Sequence, residues 1–468
     1  MSSATILVDF GSTFTKVKAV AGDGRLLASA QRRTTIDTDI HEGLDAALAE
    51  LRTDTACATP TACSSAGGGL RVGVVGLIEE LTAEAARRAA LGAGARVVTV
   101  ITGGLESPGD ARALLGSDPD IVLLVGGTDG GDSACLVDSA RALAAAGVAV
   151  PVVVAGNDHA QTDAVAELAE VTATVVTAEN VMPEFNRLAP DSAREVIRNL
   201  FITHVIGGKL AGFHPETEDM IRMATPDAAL RGVEILGRAR AESGGPAGVI
   251  MIDIGGATTD VHSFTVTPPR QGYKHSLLPD APTARTVEAD LGMRWNALGI
   301  IEAAREHRFL TEGELADLEP AAHHRVEDPG MIAADERERE HDRRLAVLAI
   351  AAALRRHAGV RRIRLSPDGA VIEQEGRDLT GVTTILGSGG VLRILEPADL
   401  GRSLELAARG REDRLLPAEP EFGMDSRGVV TAAGLLSESN PGAAERLIRR
   451  ELIERPEKNP KEHANVIA

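Results

Sequence analysis

Two acidic, glycine-rich turns, about half a chain apart, carry the residue types that handle phosphate. The first is Asp9-Phe10-Gly11-Ser12-Thr13-Phe14-Thr15-Lys16. The second is Asp253-Ile254-Gly255-Gly256-Ala257-Thr258-Thr259-Asp260. Glycines let successive backbone N–H groups converge on phosphate oxygens and tolerate positive φ. The hydroxyls of Ser12, Thr13, Thr258 and Thr259 add side-chain donors, and Lys16 offsets charge near the terminal phosphates. An aspartate beside phosphate is unfavourable unless a cation intervenes. Asp9 and Asp253 therefore imply either Mg2+ held partly through water or a carboxylate that orients an attacking water. A third cluster, Gly387-Ser388-Gly389-Gly390, offers the close backbone approach that suits a flat adenine and its ribose. The chain has 49 glycines, so one such turn after a strand is expected by chance. Two of them in this order, with a late glycine cluster, are much stronger evidence.

Each turn needs a strand to present it. Ile6-Leu7-Val8 and Val249-Ile250-Met251-Ile252 are short apolar runs that end on the two aspartates. Thr15–Val20 and Val261–Val266 read as the returning strands, with Arg25–Gln31 a third strand in the first half. The same kit appearing twice predicts two related half-domains closing on one polyphosphate from opposite sides. Between them, a helix is expected over 44–51, a strand over 70–75 and a helix over 77–91. From about residue 95 the pattern becomes a β/α alternation. Strands are expected at 96–101, 121–125, 150–154 and 173–176, with helices near 107–116, 133–146 and 160–170, which is the signature of a parallel sheet.

The turn Gly126–Gly131 precedes a helix and reads either as an anion site at that helix N-terminus or, more simply, as an ordinary connection. His159 reads as a loop or helix-cap residue, because the D-x-H-x-x-G pattern of corrin ligands is absent. Helices are expected over 192–210 and 228–242, and Ser243-Gly244-Gly245-Pro246 as the hinge. Residues 267–284 read as a surface loop. Glu288 and Asp290 are additional acids that serve either the site or the charge of a helix N-terminus. Residues 330–345 read as a solvated charged helix face, 346–357 as an apolar helix, and 365–378 as a hairpin around Pro367-Asp368-Gly369. The tail 454–468 is polar and expected to fray.

Bulk properties narrow the function. The chain has 468 residues and 44% hydrophobic content, enough for more than one core. A formal net charge of −19 argues against a nucleic-acid groove. Aromatics are only 2% of residues, with Trp295 and Tyr273 the single members of their types, so base stacking on an aromatic platform is not expected. Cys57, Cys63 and Cys135 are the only cysteines, an odd and sparse set that reads as reduced thiols in a cytoplasmic protein and not as a metal or iron–sulfur site. No basic, apolar leader and no run of about 18 apolar residues is seen, so neither a signal peptide nor a membrane span is expected.

The order of the three glycine clusters resembles the phosphate-1, phosphate-2 and adenosine motifs of the actin, Hsp70 and sugar-kinase ATPase superfamily. The implied fold is α/β: a two-lobed actin-like ATPase with an additional parallel β/α segment in the first lobe. The expected division is 1–245 for the first lobe, including the segment at about 95–180 and helices at 190–242. Residues 246–440 form the second lobe, and 441–468 a C-terminal helix and polar tail. Further stretches make the likeness narrower: Leu123–Gly131, Ala155–Asp158, Asn180-Val181-Met182-Pro183, Met251–His262, Arg285–Arg294 and Gly387–Leu392. With Asp9–Lys16 they resemble the GlmL (MutL) family, the accessory proteins of adenosylcobalamin-dependent glutamate mutase.

That resemblance implies an ATP-dependent reactivase or chaperone that releases damaged cobalamin through a nucleotide-driven lobe movement. Its cofactors would be ATP and Mg2+, and its partner a cobalamin mutase, with no nucleic acid or membrane involved. By position, Asp9 and Asp253 would organise Mg2+ and the attacking water. Gly11, Ser12, Thr13, Lys16, Gly255, Gly256, Thr258 and Thr259 would grip phosphates. Gly387, Ser388, Gly389 and Gly390 would lie along adenosine. Hydrolysis would be slow, as suits a switch. The superfamily also contains hydantoinase- and oxoprolinase-like enzymes and small-molecule kinases, and for a kinase Glu288 or Asp290 would be the base. Dehydratase activators need cysteines after the second phosphate turn, and this chain has none beyond Cys135.

Overall fold

The computed structural model describes residues 4–11, 13–35, 39–51, 60–65, 70–172, 174–206, 220–244, 247–266, 273–274, 281–366, 369–390 and 394–454. They fall into two compact units. One is drawn from Met1–Val20 and Leu27–Ala228. The other is drawn from Ala229–His275 and Pro282–Ala468, with the short turn Ala21–Leu26. The division lies between Ala228 and Ala229, inside the helix Thr225–Glu242. Of the four residues expected to form a hinge, Gly245 and Pro246 lie outside the described residues.

The first unit holds β1 (Ala4–Phe10), β2 (Phe14–Ala21), β3 (Leu26–Arg33), β4 (Thr61–Ser64), β5 (Arg71–Gly76), β6 (Arg96–Thr102), β7 (Ile121–Leu124), β8 (Val152–Val154), β9 (Val175–Thr177) and β10 (Ile221–Ala224). One sheet has the order β10-β4-β1-β2-β3, with β4 parallel to both β1 and β10. The short turn from β1 to β2 permits only an antiparallel pair. β1 is central, and Ala4, Ile6, Val8 and Phe10 are all buried. β4 and β10 are absent from the sequence expectations: at four residues each, neither is long enough to show a period.

The second sheet of this unit, β6-β5-β7-β8-β9, is parallel throughout. It is the additional β/α segment, with helices Pro108–Gly116, Ala134–Ala145 and Asp158–Ala169 between its strands. It begins earlier than the expected residue 95, because β5 lies inside it next to β7. The apolar run Val72–Val75 has neighbours on both sides and is buried on both faces. The helix expected over 77–91 starts with a wider turn, Glu79–Ala83, and continues as Glu84–Gly92.

The second unit holds β11 (Gly248–Ile254), β12 (Thr259–Phe264), β13 (Tyr273–Lys274), β14 (Thr283–Glu288), β15 (Val360–Ser366), β16 (Gly369–Glu375), β17 (Val382–Gly389) and β18 (Glu421–Met424). Its main sheet runs β14-β12-β11-β17-β18. β11 pairs antiparallel with β12 and parallel with β17. β12 is antiparallel to β14, and β17 parallel to β18. Counted along the chain, this sheet and the first unit's β10-β4-β1-β2-β3 sheet share one strand order: fifth, fourth, first, second, third. The α/β fold with duplicated halves is therefore present, with the parallel segment attached to the first.

β13, β16 and β15 make a small third sheet. The expected hairpin is seen there as the antiparallel pair β15–β16, with Ser366 opposite Gly369; its turn residues Pro367 and Asp368 lie outside the described residues. Two helical expectations need correction. The charged stretch 330–345 and the apolar stretch 346–357 form, from Glu336 to His357, one continuous helix. Its amphipathicity runs lengthwise: most of its charged first half meets solvent, with Asp342 buried, while Leu345, Ala346 and Leu348 to Leu354 are buried. The helix expected from residue 228 begins at Thr225, straight after β10, with Pro226 in the first turn where its missing N–H costs nothing. Among the described residues no helix is long and apolar enough to cross a membrane.

Candidate functional site

In the first unit, β1 carries Asp9 to the rim of its sheet, opposite Cys63 of β4. The Gly11 N–H donates to the Phe14 carbonyl at 3.2 Å, closing the turn. A Cβ on Gly11 would lie 2.7 Å from that carbonyl oxygen, so no side chain fits. Thr34 braces the turn from β3's side: its hydroxyl donates to the Gly11 carbonyl at 2.7 Å and its N–H to the Thr13 carbonyl at 3.0 Å. Thr13 is exposed, and Ser12 lies outside the described residues. The Asp9 side chain is 13% exposed and Lys16 38%, with Lys16 Nζ 3.5 Å from Asp9 Oδ2.

The other oxygen, Asp9 Oδ1, accepts a 2.6 Å hydrogen bond from Thr225 Oγ1 and a 3.6 Å contact from the Cys63 thiol. Burial, and then the Asp9 charge, push the Cys63 thiol well above its usual pKa, so it stays protonated and donates. Sequence reasoning missed Thr225 and Cys63 because β4 and β10 gave no signal. The Thr225-Pro226 helix start is the one cue present.

In the second unit, β11 carries Asp253 to the equivalent place, and Gly255 N–H donates to the Thr258 carbonyl at 2.8 Å. This is the same closure, two and five residues beyond the aspartate. The carbonyls of this turn are tied down by the following loop. Met293 N–H donates to the Gly255 oxygen at 3.1 Å, and the Arg294 and Trp295 N–H groups to the Gly256 oxygen at 2.8 and 3.0 Å. Asn296 Nδ2 donates to the Ala257 oxygen at 2.8 Å. Gly292 sits so close that a Cβ would lie 2.4 Å from the Ala257 carbonyl. A trans peptide points its N–H opposite to its C=O. The Gly256 and Ala257 amides therefore face away from this loop, and neither has an acceptor among the described residues.

Several expected ligands are committed elsewhere. The Thr259 hydroxyl is fully buried and donates to the Leu291 carbonyl at 2.6 Å, so it is an internal brace. Thr258 Oγ1 donates to Asp260 Oδ2 at 3.0 Å, and Asp260 Oδ1 is gripped by Arg285, with 2.8 Å from Nε. The adenosine cluster also differs from expectation. β17 runs on to Gly389, so Gly387 and Ser388 are ladder residues opposite Ile252 and Asp253, and both are buried. Gly389, at φ 100°, lies against the site aspartate; a Cβ there would be 2.4 Å from the Ile254 oxygen and 2.7 Å from Asp253 Oδ1. Gly390 is exposed with open space around it.

Glu288 ends β14 and Asp290 lies in the turn after it, so neither marks a helix N-terminus. Both are neutralised by Arg356, at 2.9 and 2.7 Å. Burial raises the Glu288 pKa. Burial also acts on Asp290, but the Arg356 hydrogen bonds and charge outweigh it and lower that pKa. His262, opposite Arg285 on β14, is held neutral: burial, aided by the Arg285 charge, lowers its pKa to about 3.

In the parallel segment, Asn180 Nδ2 donates to the Gly127 carbonyl and Asp129, and Asn157 Nδ2 to the Gly131 and Asp132 carbonyls. The Gly126–Gly131 turn is thus laced to its neighbours as a βα connection. His159 is exposed in the first turn of the helix Asp158–Ala169. No group of three or more His, Cys, Asp or Glu among the described residues is arranged to hold a metal.

The chain matches the MutL protein family over residues 5–452. It is 37% identical over 463 residues to Protein MutL of Clostridium tetanomorphum, covering 96% of this chain and 99% of the relative. Among solved structures it is similar to nucleotide-free acetone carboxylase (14% identity, TM-score 0.39, 93% of this chain and 70% of that one). It is also similar to a ROK family glucokinase from Streptomyces griseus in complex with glucose and AMPPNP (13% identity, TM-score 0.32, 96% of this chain and 100% of that one). Matched along nearly its whole length by the family and by this relative, the chain belongs to the MutL protein family.

Proposed function

We propose that this chain is an ATP-driven accessory protein of adenosylcobalamin-dependent glutamate mutase, restoring the mutase by releasing damaged cobalamin. One observation carries the nucleotide part of this reading. The same strand–aspartate–glycine turn, closed by the same hydrogen bond, stands at the same position in two sheets of identical strand order. Family membership carries the partner.

On this reading each turn takes part in binding Mg·ATP. The Gly256 and Ala257 amides donate to phosphate oxygens, joined by the hydroxyls of Thr13 and Ser12, and Lys16 supplies positive charge; the Thr258 hydroxyl stays on Asp260. Asp253, backed by Gly389, orients the attacking water. Asp9 keeps Oδ1 on Thr225 and offers Oδ2, whose 3.5 Å contact to Lys16 is weak enough to exchange. With one carboxylate in each turn, this donor set suits Mg2+ held through water and the nucleotide's own phosphates. Bound there, the ion would neutralise charge on the phosphates. The remaining glycines, Gly11, Gly255 and Gly390, let backbone approach the nucleotide. Partner remodelling requires that the two nucleotide states differ in affinity for the mutase. A kinase reading is weakened because its candidate bases, Glu288 and Asp290, are both held by Arg356.

The test is reconstitution. Glutamate mutase inactivated with cyanocobalamin is mixed with this protein, ATP and fresh adenosylcobalamin. Recovered mutase activity that depends on ATP and is lost in Asp253→Ala is the expected result. No recovery, or turnover of a hydantoin or sugar instead, overturns the reading.

A further inference from the structure

Trp295, the only tryptophan in the chain, is 64% exposed, and Ile332 is 67% exposed. Phe185, Val266 and Ile363 are similarly exposed, but Trp is among the residue types most enriched at the energetic centres of protein interfaces. Both residues are wired to the second phosphate turn. The Trp295 N–H donates to the Gly256 carbonyl, which belongs to the same rigid peptide plane as the Ala257 N–H. A phosphate drawing on that N–H acts on a plane whose other end Trp295 holds.

Arg294 makes the second link. Its N–H shares the Gly256 oxygen, its guanidinium takes both oxygens of Asp342 at 3.0 and 2.9 Å, and its Nε donates to the Met331 carbonyl at 3.3 Å, beside Ile332. The sequence flanking Ile332 is acidic on balance: Glu327, Asp328, Asp335 and Glu336 are exposed, against Arg337 and an Arg339 that pairs with Glu336.

We propose that Trp295 and Ile332 form the apolar centre of a docking surface whose position is set by what the second turn holds, and that its occupant is a protein partner with an apolar pocket framed by basic side chains. This deepens the accessory reading and rests on it, with the mutase as the partner. The surface is the output end of the switch: nucleotide moves the turn, the turn moves Trp295 and the Met331–Ile332 segment, and affinity for the partner changes.

The single tryptophan makes the test direct. Trp295 emission and its quenching by acrylamide are measured with Mg·ATP and Mg·ADP, with and without purified glutamate mutase. Mutase affinity and ATP hydrolysis are measured for the wild type and Ile332→Ser. The expected result is emission that differs between the two nucleotides and reduced quenching when mutase binds. Affinity of Ile332→Ser should be weaker by at least ~10-fold, with unchanged hydrolysis. Emission blind to a nucleotide that is being hydrolysed overturns the inference. So does mutase that binds without shielding Trp295, or that binds Ile332→Ser as well as wild type; the accessory reading survives either result. A wild-type protein that binds no mutase in either nucleotide overturns the accessory reading, and this surface falls with it.

Discussion

In the first unit one residue, Thr34, holds the Gly11 and Thr13 carbonyls of the glycine turn, and Thr225, Cys63 and Lys16 surround its aspartate. In the second unit a whole loop, 293–296, holds the turn's carbonyls, and Gly389 packs against Asp253. The charges diverge as well. Seven residues past the aspartate stands Lys16 in one turn and Asp260 in the other. Lys16 leans on its own site aspartate, whereas Asp260 turns away to the buried Arg285. The same backbone kit, presented by the same sheet position, has thus been given two electrostatic settings. One sets the carboxylate among a threonine hydroxyl, a thiol and a lysine; the other ties down the turn's carbonyls and sets the carboxylate against Gly389.

The comparison can be broken most sharply at the aspartates. Asp253→Ala is expected to lower ATP hydrolysis by at least ~100-fold, the scale on which a lost water-orienting group is felt, with an unchanged far-ultraviolet spectrum. Hydrolysis at the wild-type rate would remove the second turn from the chemistry.

Next come the two residues at the matched position. Asp260→Ala removes the carboxylate that grips the Arg285 guanidinium, whose side chain is 4% exposed. It should cost about 3–5 kcal/mol in chemical denaturation. Lys16→Ala breaks a long contact at a partly exposed side chain, so its stability should change by less than ~0.5 kcal/mol while ATP affinity falls. Equal stability losses in the two variants would show that the settings do not differ as described.

A smaller effect isolates Thr225. Thr225→Val removes a hydrogen bond to an ionised carboxylate worth about 1.5–3 kcal/mol. It should raise the Mg2+ concentration needed for half-maximal hydrolysis, and Thr225→Ser should restore it. An Mg2+ dependence identical to wild type would separate Asp9 from the metal.

The gentlest probe is pH. The folded-state pKa of His262 is depressed to about 3 from 6.5. Above the unfolded value the residue is neutral in both states and its contribution to stability is whole. As pH falls below that value, the unfolded chain takes up a proton that the folded chain refuses. Stability then drops by up to ~1.4 kcal/mol per pH unit until the folded pKa is reached. His262→Gln should flatten the denaturation profile between those two values; a slope as steep as wild type would assign acid sensitivity to other groups.

Much of this was legible in the chain. Asp9, Asp253 and their glycines were visible because a strand that ends on a charged turn is a local pattern. So were the β/α alternation, whose runs are long enough to show a period, and the β15–β16 hairpin, marked by its turn residues. The reading failed where neighbours decide. Thr259 looks like a ligand hydroxyl beside Thr258, but the alternation of β12 turns one outward and the other onto Leu291. Gly387 and Ser388 look like a loop, but β11 and β18 on either side of β17 draw them into the ladder. Glu288 and Asp290 look like free acids until Arg356, far along the chain, reaches them.

What the amino-acid sequence determined by itself is the inventory: two acidic glycine turns, strands to carry them, a parallel β/α segment between them, and membership in one family. These follow from nearest-neighbour spacing, which covalent geometry translates into strands and turns. Only the tertiary structure decided which oxygen of Asp9 is tied, which hydroxyls face inward, which carboxylates are neutralised, and that Trp295 hangs on the phosphate turn. Each depends on a hydrogen bond or ion pair between segments that meet because their apolar faces are buried together, and linear spacing does not encode that meeting.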